Sequence, residues 1–204
     1  MQSEAAIFHN ASAPHAGEIT PCTIGSMNYH VVASLIADLN TLQHNRGAEV
    51  GVLDGDTSEY LLKRFPSLQL YSVDPYVDYS AHEHNRTQSH MNKHEVHART
   101  KLAPFGQRSV LLKDFSVPAS AQFTDKSLDF VFIDAIHTYE AVSEDLRAWA
   151  PKVRVGGLIM GHDISWGGVQ RAVSEFGFAN NLAVYRSPST SDVWFCLKPD
   201  GQMF

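Results

Sequence analysis

The chain has 204 residues, of which 44% are hydrophobic and 19% are charged, which is enough apolar sequence for one globular domain with a full core. A net charge of -6 and a pI of about 6.0 disfavour a nucleic-acid or membrane-surface protein, because such partners select for basic patches. No segment reaches the roughly 20 apolar residues that span a bilayer, and the N-terminus lacks a basic start followed by an apolar run, so we expect a cytoplasmic protein.

The N-terminal part of the chain differs in composition from the rest. Residues 1–27 are rich in Ala, Pro, His and Gly, and we expect them to form an irregular segment or lid. Residues 28–204 are predicted to form a single domain. Its first helix is predicted in "NYHVVASLIADLN", where apolar residues recur at helical spacing.

Five apolar runs then alternate with helical segments. This alternation is typical of a parallel sheet with helices on both faces. The predicted strands are 48–53, 68–74, 109–114, 128–134 and 157–163. The predicted helices between and after these strands are 57–65, 79–101, 138–153 and 167–177.

Two further β-rich runs, 181–187 and 191–199, are joined by the turn-rich "PSTS" and predict an antiparallel hairpin at the edge of the sheet. We therefore predict an α/β fold that is Rossmann-like and doubly wound, with a mostly parallel seven-stranded sheet and a C-terminal antiparallel hairpin.

Polar residues stand where the five predicted parallel strands end. They are Asp54, Asp74, Asp114, Asp134 and the pair His162 and Asp163. Ligands of open parallel sheets bind beyond the carboxyl ends of the strands. We therefore expect these side chains to surround one ligand.

The loop after the first predicted strand contains Gly51 and Gly55. Gly51 allows a tight turn, and Gly55 allows a ligand to approach the backbone at the start of a helix. The dinucleotide fingerprint has glycines at i, i+2 and i+5, which this loop does not match. Phosphate is also disfavoured by the acidic residues around the loop, which are Glu49, Asp54, Asp56 and Glu59. The pattern favours a cationic nucleoside without phosphates, namely S-adenosylmethionine, with Asp74 accepting hydrogen bonds from the ribose hydroxyls.

These residues resemble the class I S-adenosylmethionine-dependent methyltransferases, in particular the small O-methyltransferases of the catechol and macrocin types. Glu49, Gly51, Gly55 and Thr57 match the E-x-G-x-x-x-G-x-[S/T] form of the first family motif. The stretches "FIDAIHTYE" and "VGGLIMGHD" follow at matching distances, and the resemblance covers about residues 28–197. It implies that the cofactor is bound by Glu49, Gly51, Leu53, Gly55, Thr57, Asp74, Asp114, Phe115 and Asp134.

A divalent cation site is predicted from Asp134, His162 and Asp163. In the metal-dependent members of the family that this chain resembles, the fourth strand supplies one acidic ligand and the fifth supplies an Asp-Asn or Asp-Asp pair. Here His162 replaces the first member of that pair. Because magnesium prefers oxygen ligands, the histidine shifts the preference towards manganese, iron or zinc. The alternative is that Asp134 caps a helix and that His162 is structural.

His137 stands three residues after Asp134, where the resembling enzymes carry a lysine base. An imidazole with a pKa of about 6.5 accepts a hydroxyl proton at neutral pH. We therefore predict that His137 and Asp134 are the catalytic pair. The alternative is that His137 caps the following helix.

A second metal site is a weaker hypothesis. His90, His94 and His97 follow one another at helical spacing and could present three imidazoles to zinc, but such a helix face is commonly only solvated.

Three functions remain open. The first is methylation of a hydroxyl group on a small molecule. The second is a nucleotide-dependent oxidoreductase, which the acidic loop disfavours, and the third is a cofactor- or partner-binding protein without catalysis. The sequence leaves open whether the protein forms a homodimer.

Overall fold

The computed structural model describes residues 8–10, 28–38, 42–78, 86–187 and 191–200. Together these residues form an eight-stranded sheet and six α-helices. The strands are β1 (Phe8–Asn10), β2 (Arg46–Val50), β3 (Gln69–Val73), β4 (Ser109–Leu112), β5 (Leu128–Ile133), β6 (Val153–Gly161), β7 (Val184–Arg186) and β8 (Trp194–Leu197). The helices are α1 (Asn28–Asp38), α2 (Asp56–Arg64), α3 (Gln88–Leu102), α4 (Ser116–Ser120), α5 (Tyr139–Trp149) and α6 (Gly167–Ala179).

The strand order is β1-β7-β8-β6-β5-β2-β3-β4. Strands β2 to β6 pair in parallel, and β8 pairs antiparallel with both β6 and β7. The predicted mostly parallel sheet with a C-terminal antiparallel hairpin is confirmed. None of the helices in the described ranges is long and apolar enough to cross a bilayer.

Strand β1 is the one strand that was not predicted. It pairs in parallel with β7 at the outer edge of the sheet. The prediction of irregular structure was therefore wrong for residues 8–10, because a strand of three residues is too short to show a hydrophobic period. The rest of the predicted lid before residue 28 lies outside the described residues.

Strand β5 forms the centre of the core, and all six of its residues are buried. Val131 and Ile133 belong to one apolar cluster, which includes residues of α4, α5 and α6. Phe130 and Phe132 belong to the other, which includes residues of α1, α2 and α3. A strand that is buried on both faces reads as a continuous apolar run, as "LDFVFI" does.

The carboxyl ends of β2, β5 and β6 lie side by side. The Asp134 backbone N–H donates to the carbonyl oxygen of Val50 at 2.7 Å, and that of His162 donates to the carbonyl oxygen of Ile133 at 3.1 Å. Gly51 has a φ of 90°, and a Cβ atom there would lie 2.0 Å from the carbonyl oxygen of Asp134. Glycine is therefore required where β2 turns away, and this turn brings the loop between β2 and α2 against the end of β5.

Candidate active site

A cavity of about 660 Å³ lies at the carboxyl ends of β2, β3, β4 and β5. Its size is within the range of about 300–1,000 Å³ that is usual for small-molecule sites. The predicted site residues that line it are Glu49, Gly51, Leu53, Thr57, Asp74, Phe115, Asp134, His137 and Asp163. Most of the residues that were predicted at strand ends therefore line one cavity.

Three predicted residues do not line this cavity. Gly55 has a φ of 78° and is the residue before the first turn of α2, so its role in the structure is to turn the chain. The carboxylate of Asp114 accepts a hydrogen bond from the backbone N–H of Phe115 at 2.8 Å within its own loop. His162 lies beside the cavity, in contact with Asp134 and Asp163.

Asp74 holds the loop between β2 and α2. One of its carboxylate oxygens accepts from the backbone N–H groups of Val52 and Leu53, both at 3.0 Å. The other accepts from the backbone N–H of Tyr76 at 2.9 Å. A carboxylate has about four lone-pair sites, so these three donors leave room for about one hydroxyl of a ligand. Asp74 therefore shapes the loop as well as facing the cavity.

Glu49 is a buried carboxylate at the floor of the cavity, with 2% of its surface exposed. It accepts a hydrogen bond from Ser58, which also lies 2.6 Å from the hydroxyl of Ser72. Burial, together with the nearby carboxylates of Asp134 and Asp74, raises the pKa of Glu49 to about 8 against the hydrogen bonds from Ser58 and Thr57, which lower it. No cationic side chain among the described residues compensates the negative charge of Glu49.

Asp134, His162 and Asp163 form a cluster whose ligand atoms all lie within 4.8 Å of one another. His162 Nδ1 lies 3.5 Å from Asp134 Oδ1 and 3.3 Å from Asp163 Oδ2. His137 joins them, with its Nε2 atom 3.0 Å from Asp163 Oδ2 and 3.7 Å from Asp134 Oδ1. Two carboxylates and two imidazoles are a donor set that fits manganese, iron or zinc better than magnesium.

The charges in this cluster depend on one another. Burial lowers the pKa of His137, but Asp134 and Asp163 outweigh it and raise the pKa to about 9. The same balance raises the pKa of His162 to about 10. Burial raises the pKa of Asp134 and Asp163, but their contacts with the two histidines bring the pKa of each carboxyl below its ordinary value. These carboxylates therefore favour the protonated form of His137, in contrast to the neutral imidazole that the sequence analysis assumed.

The cavity residues that the sequence did not predict include Asn28, Ser116 and Asp145. Asn28, the first residue of α1, donates from Nδ2 to Asp134 Oδ2 at 3.2 Å. Ser116 and Asp145 line the far end of the cavity and are hydrogen bonded to each other. Asn28 begins the first predicted helix, and Ser116 and Asp145 lie in helices, so none of the three stands at a strand end.

The histidine-rich helix α3 does not assemble the hypothetical zinc site. His94 and His97 both contact Asp54 Oδ1, at 2.9 and 3.0 Å, whereas His90 is exposed. Within the described ranges, the Asp134 cluster is the only set of His, Cys, Asp and Glu residues with metal-binding geometry.

The sheet order and the loop after β2 define a class I methyltransferase fold. A family model described as a methyltransferase domain matches residues 48–164, which is more than half of the chain. The chain therefore belongs to this family of methyltransferase domains. No curated protein sequence matches the chain.

Solved structures support the same fold. An S-adenosylmethionine-dependent O-methyltransferase from Thermotoga maritima is 13% identical, with a TM-score of 0.60 over 87% of this chain and 66% of the other. A candidate O-methyltransferase from Klebsiella pneumoniae is 19% identical, with a TM-score of 0.61 over 88% and 83%. A TDP-rhamnose 3'-O-methyltransferase of calicheamicin biosynthesis is 14% identical, with a TM-score of 0.55 over 84% and 78%. At these identities the likeness concerns the fold.

Proposed function

We propose that this protein uses S-adenosylmethionine to methylate a hydroxyl group of a small molecule, with the help of a divalent cation. The observation that carries the proposal is the convergence of Glu49, Asp74 and Asp134 on one cavity. Arg86 is the only lysine or arginine among the described residues that line it. Such a cavity favours a cationic ligand over a phosphate.

S-adenosylmethionine meets this requirement because it carries a sulfonium and an ammonium group but no phosphate. Glu49 is suited to face its positive charge, and Asp74 has capacity left for a ribose hydroxyl. A dinucleotide would instead bring a pyrophosphate against the acidic lining, which disfavours the oxidoreductase alternative.

Asp134, His162 and Asp163 would hold the cation, and His137 lies close enough to be a fourth ligand or to exchange a proton with the acceptor. A bound cation lowers the pKa of a hydroxyl group that contacts it. The residues of the cluster would then hold the acceptor oxygen near Asp134, at the end of the cavity where Asn28 fixes the carboxylate. Positioning and proton removal are what in-line methyl transfer requires of the protein.

The acceptor is expected to be a small hydroxylated molecule. O-methyltransferases are named among the structural neighbours, which supports an oxygen acceptor. The acidic balance of the chain argues against nucleic acid. We also propose that the protein forms a homodimer, but we assign no surface to its interface.

Methyl transfer tests the proposal directly. Purified protein is incubated with methyl-labelled S-adenosylmethionine and a panel of phenols, sugars and hydroxy acids, with and without EDTA. We expect transfer to a hydroxylated acceptor that EDTA abolishes and manganese restores. Cofactor binding without transfer to any acceptor would favour the non-catalytic alternative.

The metal site is tested separately by manganese titration. Asp134→Asn and His162→Ala each remove a ligand, and loss of one ligand should weaken manganese binding by about 10-fold or more. His90→Ala removes an exposed histidine and serves as the control. Equal manganese affinity in all four proteins would mean that the cluster holds no cation.

A further inference from the structure

The turn that joins β6 to α6 presents two groups to His137. Asp163 Oδ2 lies 3.0 Å from His137 Nε2, and the centroid of the Trp166 ring lies 5.2 Å from that of the imidazole. The backbone N–H of Trp166 closes the turn by donating to the carbonyl oxygen of Asp163 at 2.9 Å. The conformation of residues 163–166 therefore decides where both groups lie relative to His137.

The start of α6 fixes one end of this turn. A Cβ atom at Gly168 would lie 2.6 Å from the carbonyl oxygen of His137 and 2.9 Å from the backbone nitrogen of Tyr139. The backbone of α6 is thus in direct contact with the segment that carries His137. The other end of the turn, at Asp163, needs support of its own.

The backbone of Asp163 has an uncommon conformation. Its φ is 56°, which lies in the left-handed region. Aspartate enters this region more readily than most residues, but contacts from the surrounding structure must still hold it there. We therefore looked at the contacts of the residues that follow Asp163.

Asp192 holds the two residues that follow Asp163. Its backbone carbonyl oxygen accepts from the backbone N–H of Ile164 at 3.2 Å. Its Oδ2 atom accepts from the backbone N–H of Ser165 at 3.1 Å and also from the Ser165 hydroxyl. Asp192 stands between β7 and β8 and does not line the cavity. Three hydrogen bonds therefore tie the turn to the C-terminal hairpin.

The other oxygen of the Asp192 carboxylate contacts Arg186. Nη2 of this arginine, at the end of β7, donates to Asp192 Oδ1 at 2.6 Å. The arginine side chain is 49% exposed, and an ion pair that is open to water contributes little free energy. The contact with Ser165 is therefore expected to matter more for the turn than the contact with Arg186.

We propose that Asp192 is a positioning residue of the active site, which fixes the turn of residues 163–166 and thereby the place of Asp163 beside His137. The consequence for metal binding rests on the proposed function, in which Asp163 is a ligand of the cation. Residues that orient the ligands of a metal typically change its affinity by about 10- to 100-fold when they are removed.

Manganese titration measures the consequence for the cation. Asp192→Ala removes the carboxylate that accepts from Ser165, and manganese binding should weaken by about 10-fold or more. Asp192→Asn keeps an oxygen that can accept from Ser165 and should recover most of the affinity. Arg186→Ala loses the same ion pair but leaves the turn held, and its affinity should stay within about 2-fold of that of the unchanged protein.

Asp125→Ala controls for the loss of a negative charge. Asp125 pairs with Lys152 on the surface, at 2.7 Å, and its side chain is 64% exposed. Its removal should leave manganese affinity unchanged. A loss of affinity in this variant equal to that in Asp192→Ala would mean that net charge alone accounts for the effect, and the inference would be overturned.

Quenching of tryptophan fluorescence by acrylamide reports on the turn without any metal. The chain has three tryptophans, of which Trp149 and Trp194 are at most 1% exposed and Trp166 is 40% exposed. Quenching therefore reports mainly on Trp166. The quenching constant should rise in Asp192→Ala, because the Trp166 ring is no longer held against His137, and should stay unchanged in Arg186→Ala.

The outcomes separate this inference from the proposed function. If the unchanged protein binds no manganese, the cation of the proposed function fails, and the quenching comparison alone decides on Asp192. If it binds manganese and Asp192→Ala binds equally well, or shows unchanged quenching, the inference is overturned. Equal losses of affinity in Asp192→Ala and Arg186→Ala would assign the effect to the ion pair and would overturn the inference as well.

A milder variant covers the case in which Asp192→Ala does not fold. Ser165 is exposed, and Ser165→Ala removes its hydroxyl contact with Asp192 while the backbone N–H stays. We expect manganese binding to weaken by about 3-fold, which corresponds to the lower range for one hydrogen bond. Unchanged affinity in Ser165→Ala and Asp192→Asn together would then overturn the inference.

Discussion

The buried carboxylate of Glu49 lowers the stability of the folded protein, and this cost is explained best by a role in ligand binding. Its carboxylate is buried beside Asp74 and Asp134, and it accepts hydrogen bonds from the hydroxyls of Ser58 and Thr57. A buried charge without a cation is costly, so the folded protein holds a proton on Glu49 up to a pH of about 8. A structural role alone would not explain a carboxylate here, because glutamine would fill the same space without the cost.

Glu49→Gln is therefore expected to stabilise the protein at alkaline pH. The folded protein binds the Glu49 proton with a pKa of about 8, whereas the ordinary value is 4.5, so unfolding releases a proton between these pH values. The free energy of unfolding contributed by this group falls as the pH rises through that window, by up to about 4 kcal/mol between pH 5 and pH 8. Urea unfolding of both proteins at pH 5 and pH 8 measures the difference.

The same variant is expected to bind S-adenosylhomocysteine more weakly, because it loses the carboxylate that we propose to face the ligand ammonium group. Glu59→Gln, which removes a partner of Lys63 on the surface of α2, is the matched control and should change neither property by more than about 0.5 kcal/mol. A Glu49→Gln protein with unchanged stability and unchanged affinity would contradict both statements.

At the scale of single residues, the rule that ligands bind at strand ends accounts for what the sequence could predict. It identified Asp134, His162 and Asp163, which stand just after their strands and meet in one cluster, and the family resemblance added His137. It did not identify Asp145, which stands in the second turn of a helix and reaches the cavity only because α5 packs against α4. The raised pKa of His137 could not be predicted from the sequence either, because it depends on two carboxylates that come together only in the folded chain.

At the scale of elements, the loop between β2 and α2 depends on Asp74. Asp74→Ala leaves the backbone N–H groups of Val52, Leu53 and Tyr76 without their acceptor. We expect the free energy of unfolding to fall by about 2 kcal/mol or more, and cofactor affinity to fall with it, because the loop loses its shape. Asp74→Asn keeps one acceptor oxygen and should lie between the two proteins.

Urea unfolding and amide hydrogen exchange at Val52 and Leu53 measure this effect. Asp114→Ala is the control at the next strand end, since among the described residues its carboxylate is hydrogen bonded to the following N–H group alone and does not line the cavity. Unchanged exchange at the two amides in Asp74→Ala would show that the loop is held by its own backbone conformation.

The elements themselves could be predicted where the apolar pattern was long. All five parallel strands and the hairpin are present, but β2 ends at Val50, earlier than the predicted end at residue 53, because Gly51 turns the chain. The five-residue helix α4 and the three-residue strand β1 were missed, since neither spans enough residues to show a period. Helix α3 begins at Gln88, within the predicted 79–101, and residues 79–85 lie outside the described part of the chain.

At the scale of the whole molecule, the distribution of charge discriminates between cofactors that share this type of sheet. The chain carries a net charge of -6, and acidic groups predominate in the lining of the cavity. A dinucleotide would bring two phosphates into this field, whereas S-adenosylhomocysteine brings an ammonium group and no phosphate. The fold alone does not make this distinction, because related parallel sheets bind both kinds of ligand.

Thermal unfolding with each ligand tests the distinction on the unmodified protein. S-adenosylhomocysteine at 100 times its dissociation constant should add about 2.7 kcal/mol to the free energy of unfolding. For a chain of this length we expect a rise in Tm of about 5–10 °C. NAD at the same concentration should leave Tm unchanged, because its pyrophosphate meets Glu49, Asp54 and Asp74 rather than a glycine-rich phosphate loop. If NAD raised Tm as much as S-adenosylhomocysteine does, the acidic lining would not select the ligand. The nucleotide-dependent oxidoreductase would then again be a candidate function.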